Sequence, residues 1–424
     1  MMRIGRVLVV LIASVIGLSR TNSADLRGHG GPVRAIAIDL SGAIATAGFD
    51  AAVIRWDEAR GTAKAVLRFH EGAVNALLAL PDGALASAGE DRRIALWGKD
   101  STTPLRHLEG HTAPISALAL SPNGHVIASA SWDGTVRLWP LAGGPSRIIE
   151  GHRGPVNAVL FLPDGTPVSA GYDGSLRLHH DAQPVVLELG FPINAIVRAG
   201  YEIFAAGADG QLHIIDWRRG QVDASLPIAD VPIVALATAP DGNMLAAAGF
   251  RGALVLLNAQ TRTIERKLVG PAFPLWSLAF SLDGRDILTG GADRLVRRWS
   301  VKTGEPVNPV LTDAEPLLPK GLETHPGLEI YKACQACHTL SDHDGVRAGP
   351  TLHKVMGRKI ATAPGYRFSD ALVQRDLVWS RETIARLFEI GPNAMLPGTK
   401  MPEQLITNRD EREALVDFIE KASR

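Results

Sequence analysis

The chain has 424 residues, with 44 basic and 44 acidic side chains, 46% hydrophobic residues and only 5% aromatic ones. That length accommodates two or three domains. A formal charge of zero, with no basic tail or stripe, excludes a nucleic-acid surface of the usual electrostatic kind.

Met1 to Arg6 holds two arginines and no acid, Val7 to Leu18 is a twelve-residue apolar run, and polar residues and Ala24 follow. This order predicts a secretory signal peptide over residues 1–24. The run falls short of the roughly 20 residues that a bilayer span needs, so an uncleaved anchor is the weaker reading and no strong membrane anchor is expected. No Cys lies near the end of the segment, which argues against a lipid anchor. Removing the segment's three arginines takes the formal charge from 0 to −3.

Residues 25–311 repeat with a period near forty. Gly28-His29, Phe69-His70, Gly110-His111 and Gly151-His152 mark the first four units, and an Asp follows each His 21 or 22 positions later: Asp50, Asp91, Asp133 and Asp173. The series continues through Asp209, Arg251 and Asp293. Units end at Trp56, Trp97, Trp139, His179, Ile215, Leu257 and Trp299, which makes seven. Within the third unit, 115–120 alternates as a strand, 122–124 turns, 126–131 is a second strand, Asp133-Gly134 turns again, 135–139 is a third strand and 146–150 a fourth. Four short strands repeated seven times predict an all-β seven-bladed propeller.

The Gly-His pair, Ser-rich second strand, turn Asp and terminal Trp resemble the WD40 family. The resemblance implies that His111, Ser129, Asp133 and Trp139 hydrogen-bond across their blade. It fades in the fifth to seventh units, where Gly190-Phe191 and Gly270-Pro271 lack the His. The sixth lacks His, Asp and Trp together, so apolar packing must carry it. Ring closure is open to two readings: 25–27 is a very short candidate for the outer strand, and 305–311 is the other. His29, His70, His111 and His152 read as structural. His179, His180 and His213 lie on predicted strands, where the rival reading is a metal or second haem.

The same resemblance places the residue before each turn Asp on the rim of the central channel, where partners bind. Its occupants include Phe49, Trp132, Tyr172 and Phe250, and the first strands add Arg34 and Trp276. Trp, Tyr, Phe and Arg together are the mix of a binding hot spot; the plainer reading is that they cover blade edges.

Residues 312–326, with prolines at 316, 319 and 326, read as a semi-rigid linker. Residues 327–424 form the second predicted domain, all-α. Its centre is Cys334-Gln335-Ala336-Cys337-His338. C-x-x-C-H is the attachment signal for one c-type haem: each thiol bonds a vinyl group, and the His is the fifth iron ligand. These are the only two cysteines in the chain. A structural zinc site needs about four ligands, and a thiol redox pair does not need the His. A helix is expected over 328–338. Ser380 should cap a second helix with the stripe Ile384, Leu387 and Phe388. Thr407 or Asn408 should cap a last one, with the stripe Leu415, Phe418, Ile419 and Ala422.

Ala363-Pro364-Gly365-Tyr366-Arg367-Phe368-Ser369-Asp370, Trp379 and Pro397-Gly398-Thr399-Lys400-Met401 resemble mitochondrial-type, class I cytochrome c over nearly all of the last hundred residues. The resemblance implies that Met401 is the sixth ligand, with Met356 and Met395 as the other methionines. It implies that Pro350 offers its carbonyl to His338, and that Trp379 and Thr399 belong to the haem-binding set. Phe368 stands where the family usually has a tyrosine, which removes one propionate donor; Arg367 or Tyr366 would compensate.

With both axial positions filled, the expected function is single-electron transfer through one covalent haem c, the Met ligand raising the potential. The expected setting is the periplasm, with the propeller as docking platform for a periplasmic redox protein or a membrane oxidase or reductase. Residues 325–424 hold 14 basic and 13 acidic side chains, so docking should depend only weakly on salt, apart from a local basic rim at Lys354, Arg358, Lys359 and Lys400. The rival class is a redox enzyme subunit whose propeller binds a substrate or second cofactor and passes electrons to the haem; a third is a scaffold with a redox-sensing domain. Fold alone decides none of these.

Overall fold

The computed structural model describes residues 25–180, 183–269, 273–307, 321–335, 337–341, 347–366, 368–399, 401 and 404–424. The expected signal peptide, most of the linker, Arg367 and Lys400 lie outside the described residues.

The described strands form seven four-stranded antiparallel sheets. The third blade shows why. Its strands are Ile115–Leu120, Val126–Ser131, Val136–Pro140 and Arg147–Ile149. The second strand is buried almost throughout, the outer one mostly exposed. Alternate residues of the inner strands pack against the next blade: Ala128, Ala130 and Val136 form one cluster with Val156 and Val159 of the fourth blade. The sixth blade, without a His, Asp or Trp marker, has instead Leu254, Val255, Leu256 and Leu257 in a run, all buried and shared between two neighbouring clusters.

Both candidate segments contribute to closing the ring. Leu26–Arg27 pairs with Leu295 and Val296 as the fourth strand of the seventh blade. Farther along the same strand, Trp299 bridges Pro306, and the N–H of Val307 donates to the Arg298 carbonyl at 2.8 Å. The N-terminal segment is too short to cover the strand's whole edge, and the return of the chain takes the remainder.

Every blade has a register shift at the same place, between its first and second strands. The residues passed over are Arg34, Asn75, Ser116, Asn157, Asn194, Val234 and Trp276. Such a bulge re-aims one side chain. Four of the seven donate to the next blade: Asn75 to the Ile115 carbonyl, Ser116 to Val156, Asn157 to Ile193 and Asn194 to Ile233, at 2.6–3.1 Å. Arg34 donates to the Trp276 carbonyl at 3.1 Å, and its guanidinium lies 5.8 Å from that indole's ring centre. The first-strand residues expected on the channel rim thus staple neighbouring blades together.

The C-terminal domain has helices α1 (Pro326–Tyr331), α2 (Asp370–Val373), α3 (Arg381–Ile390), α4 (Pro392–Met395) and α5 (Arg409–Ala422). Ser380 caps α3 in a capping box with Thr383, and Asn408 caps α5 by accepting from Asp410 and Glu411 N–H. Ile384, Leu387 and Phe388 on α3 and Leu415, Phe418, Ile419 and Ala422 on α5 are buried in one cluster. α1 lies against α5, with the rings of Tyr331 and Phe418 5.1 Å apart. α1 is shorter than the helix expected over 328–338. Past Tyr331 the chain winds in tight turns, Cys334 N–H to the Tyr331 carbonyl and Cys337 N–H to that of Cys334, at 2.7 and 3.1 Å.

Candidate haem crevice and propeller frame

The turns after α1 deliver Cys334, Cys337 and His338 to one crevice. Its volume is about 930 Å³, toward the upper end for a cofactor site. His338 Nδ1 donates to the Pro350 carbonyl at 2.7 Å. That bond fixes the tautomer and leaves Nε2 free to coordinate. Burial depresses the imidazole's basicity, which keeps it neutral, as a ligand must be. Burial also pushes the thiols up, Cys334 to about 12 and Cys337 to about 11. Sulfur in such a wall is best accommodated uncharged, as in a thioether.

Leu372, Ile384, Leu387, Leu396 and Met401 also line the crevice. Of the three methionines considered, Met401 lines the crevice, whereas Met356 and Met395 pack at the edge of the apolar cluster. The Met401 N–H donates to the Thr399 hydroxyl at 3.1 Å, so the turn places both residues on the crevice wall. Trp379, Pro350 and Phe368 line it as well. Tyr366 lies beside Phe368, ring centres 4.6 Å apart. The donor set is therefore two thiols, one pinned imidazole and one thioether lining an apolar crevice, and its chemistry fits an iron porphyrin.

The cytochrome c family model matches residues 325–423. Cytochrome c type-1 of Ascaris suum is 38% identical over 109 residues, which is 25% of this chain and 93% of that protein. The chain belongs to the cytochrome c family. Cytochrome c 2.1 of Caenorhabditis elegans is 39% identical over 100 residues, covering 23% of this chain and 86% of the relative. Cytochrome c2 of Rhodomicrobium vannielii is 31% identical over 93 residues, 22% of this chain and 74% of the relative. The C-terminal domain is thus a cytochrome c domain, and its cofactor is covalently bound haem c. The WD domain, G-beta repeat model matches residues 61–98, 102–140, 143–180 and 262–300. The seven-bladed body is a WD40 propeller, and most of the first, fifth and sixth blades falls outside the four matches.

The polar frame of the propeller follows the expected pattern. In the third blade Trp139 Nε1–H donates to Ser129 Oγ at 2.8 Å, Ser129 Oγ–H to His111 Nε2 at 2.7 Å, and His111 Nδ1–H to Asp133 at 2.7 Å. The first and second blades repeat this with Trp56, Thr46, His29 and Asp50, and with Trp97, Ser87, His70 and Asp91. In the fourth, His179 stands in for Trp and bonds Ser169 at 2.7 Å, so its Nε2 must carry the proton. Burial lowers His179 to about 4, which keeps it neutral. His213 is stacked on Phe191, ring centres 4.4 Å apart, and bonds Asp209 and Ser225. Both histidines are thus engaged in the blade frame.

The seven residues before the turn Asp position are equivalent. Phe49, Glu90, Trp132, Tyr172, Ala208, Phe250 and Ala292 each donate their N–H to the carbonyl of the residue just before the blade's first strand. They therefore share one face of the ring. Trp132 and Tyr172 are exposed on it, 48% and 63%. Phe250 is half-buried edge-on against Trp276, ring centres 5.4 Å apart, and so belongs with Arg34 to an internal cluster. Phe49 differs again: it lines the haem crevice. Of the six candidate partner residues, only Trp132 and Tyr172 stand out from the surface without such an engagement. Sequence reasoning missed this division, because bulges and interdomain contacts leave no period.

Proposed function

We propose that the protein is an exported electron-transfer cytochrome whose propeller docks a redox partner. One observation carries the reading: His338, pinned by Pro350, and Met401 line the same crevice, so the chain itself would supply two ligands to an iron held there. Haem c would supply one-electron chemistry there, and with His338 and Met401 both ligating, no position would remain for a substrate. Cys334 and Cys337 hold the group covalently. Pro350 orients His338. Thr399 orders the Met401 turn. Trp379 and the α3 and α5 side chains keep the slot dry, which together with the Met ligand favours the reduced iron. The signal-like segment supports a periplasmic location, where a periplasmic redox protein or a membrane oxidase or reductase would be the partner.

The docking surface we assign is the propeller face that carries Trp132 and Tyr172. Large aromatic side chains give much contact area at little entropic cost. The test uses the full chain and candidate partners from the same compartment. Changing both residues to Ala should leave the visible spectrum unchanged and weaken binding at least tenfold, about 1.4 kcal/mol. Unaltered affinity would move docking off this face. Recovery of unmatured protein in the cytoplasm alone would overturn the export reading.

A further inference from the structure

The crevice is not built by the cytochrome domain alone. Gly30, Phe49, Asp50, Arg68 and Glu71 of the first two blades, with Arg294 of the seventh, line it too. The contact is close and directional. Ala348 N–H donates to the Gly28 carbonyl at 3.0 Å. Arg68 donates to the carbonyls of Arg347 and Ala348 at 3.0 and 2.5 Å. Gly30 lies so near Cys337 that a Cβ there would sit 2.6 Å from the sulfur; no residue with a side chain fits without movement. The guanidinium of Arg68 also lies 4.0 Å from the ring centre of Tyr366, a cation–π geometry.

The segment that Arg68 grips leads straight to the axial histidine. Gly349 follows Ala348 and is packed on the imidazole: a Cβ on Gly349 would lie 2.6 Å from His338 Cε1. Pro350 then accepts the His338 Nδ1 proton. One side chain of the propeller thus holds the backbone that orients the fifth ligand and brings a positive charge to the crevice. Asp50 and Arg294 of the propeller line the same crevice as Cys337.

We propose that the propeller completes the haem site, with Gly30 and Phe49 closing its Cys337 side and Arg68 acting as a positioning residue for the 347–350 segment behind His338. The inference rests on the electron-transfer reading and deepens it, since it makes the reduction potential a property of both domains. Burial, nearby charge and hydrogen bonds to the ligating histidine are the protein's means of setting that potential. Oxidised haem carries one more positive charge than reduced haem. A cation at the crevice favours the reduced state, and so does exclusion of water.

The test measures midpoint potential in the full chain, alongside covalent haem content and a thermal melt. Arg68→Ala and Phe49→Ala should each lower the equilibrium constant for reduction at least threefold. Arg68→Glu should lower it about tenfold, about 59 mV for one electron. Arg68→Lys, which keeps the charge, should recover most of the loss, and Tyr172→Ala should change nothing. If Arg68→Glu does not fold, Phe49→Ala still decides the matter, because that side chain is half exposed and its removal opens no sealed core. Potentials of the Arg68 and Phe49 variants equal to wild type, at equal haem content, would overturn the proposal and leave the electron-transfer reading standing. A wild-type chain with no reversible one-electron couple would overturn both.

Discussion

Ser129 shows how much a single hydroxyl can hold. It is fully buried, accepts from Trp139 and donates to His111. Replacing it by Ala strands a buried donor and a buried acceptor at once. An unsatisfied buried polar group costs about 1–3 kcal/mol, so Ser129→Ala should lower stability by roughly 2–4 kcal/mol in a urea titration. Ser121, on the blade's connecting turn, should tolerate the same change better. Met401 is the residue we propose as the second iron ligand. Met401→Ala should lower the reduction potential and admit cyanide or imidazole to the iron, read from the visible spectrum. Met395→Ala should do neither; the reverse pattern would mean that the ligand loop is misassigned. The blade frame and the haem motif were legible in the sequence because their chemistry is tied to fixed spacing: His to Asp at 21 or 22 positions, and His directly after the second Cys. Thr46 in place of a Ser was harder to see, since any hydroxyl at that position serves. The roles of Phe250 and Arg34 were not legible. Their partner, Trp276, is distant from Arg34 in sequence and is brought to it only when the ring closes.

At the scale of the blade, the polar chains predict the response to acid. Burial pulls Asp133 upward, but the Thr135 hydroxyl, the Thr112 N–H and His111 outweigh it and hold the carboxyl at about 2. Asp173 is likewise held at about 2: burial raises it, but the Arg153 N–H, His152 and Ser175 prevail. A carboxyl depressed on folding contributes stability above its unfolded value of about 3.9. That contribution disappears as pH falls through the folded value. His111, His152 and His179 are depressed mainly by burial. The unfolded chain therefore takes up their protons first, and stability declines as soon as pH drops below about 6.5. Acid should destabilise the propeller in two stages, a gradual loss below about pH 6.5 and a steeper one between about pH 4 and 2, measurable as melting temperature against pH. A flat profile between pH 7 and 5 would contradict the neutral-histidine frame.

The closing element makes a separate prediction. Leu26 is 3% exposed and packs with Ile54, Trp56 and Val296. Leu26→Ala should cost about 2–5 kcal/mol, measured by thermal melt, although its strand is only two residues long. The alternating strands were readable from period and turn chemistry. The two-residue strand was not, because two residues carry no period. Nor were the seven bulges, since one extra residue in a strand changes facing without changing composition. The regular part of α1 was overestimated: the apolar spacing continues to His338, but the geometry needed at the two thiols tightens the winding after Tyr331.

At the scale of the molecule, two units readable separately in the sequence share one site. Haem signal, ligand loop and repeat period were each local patterns. The interface between Gly28, Gly30 and Arg68 on one side and Cys337 and residues 347–348 on the other was invisible, because it joins segments some 280 or more residues apart that share no local pattern. It changes what the propeller is for. Its face bears Trp132 and Tyr172 where a partner would dock, and the same face closes the haem crevice at Phe49. With no strong net charge on the cytochrome domain, raising salt should slow association with a partner only modestly.

The central claim is one covalent haem with both axial positions supplied by the chain, acting as a single-electron carrier. An optical redox titration of the purified full-length protein at neutral pH tests it most directly. The predicted result is a single one-electron wave, with a low-spin c-type spectrum in both oxidation states. A high-spin spectrum, which signals an open iron position, would contradict the account. So would a second wave from another redox group, which would make the propeller the seat of an enzyme.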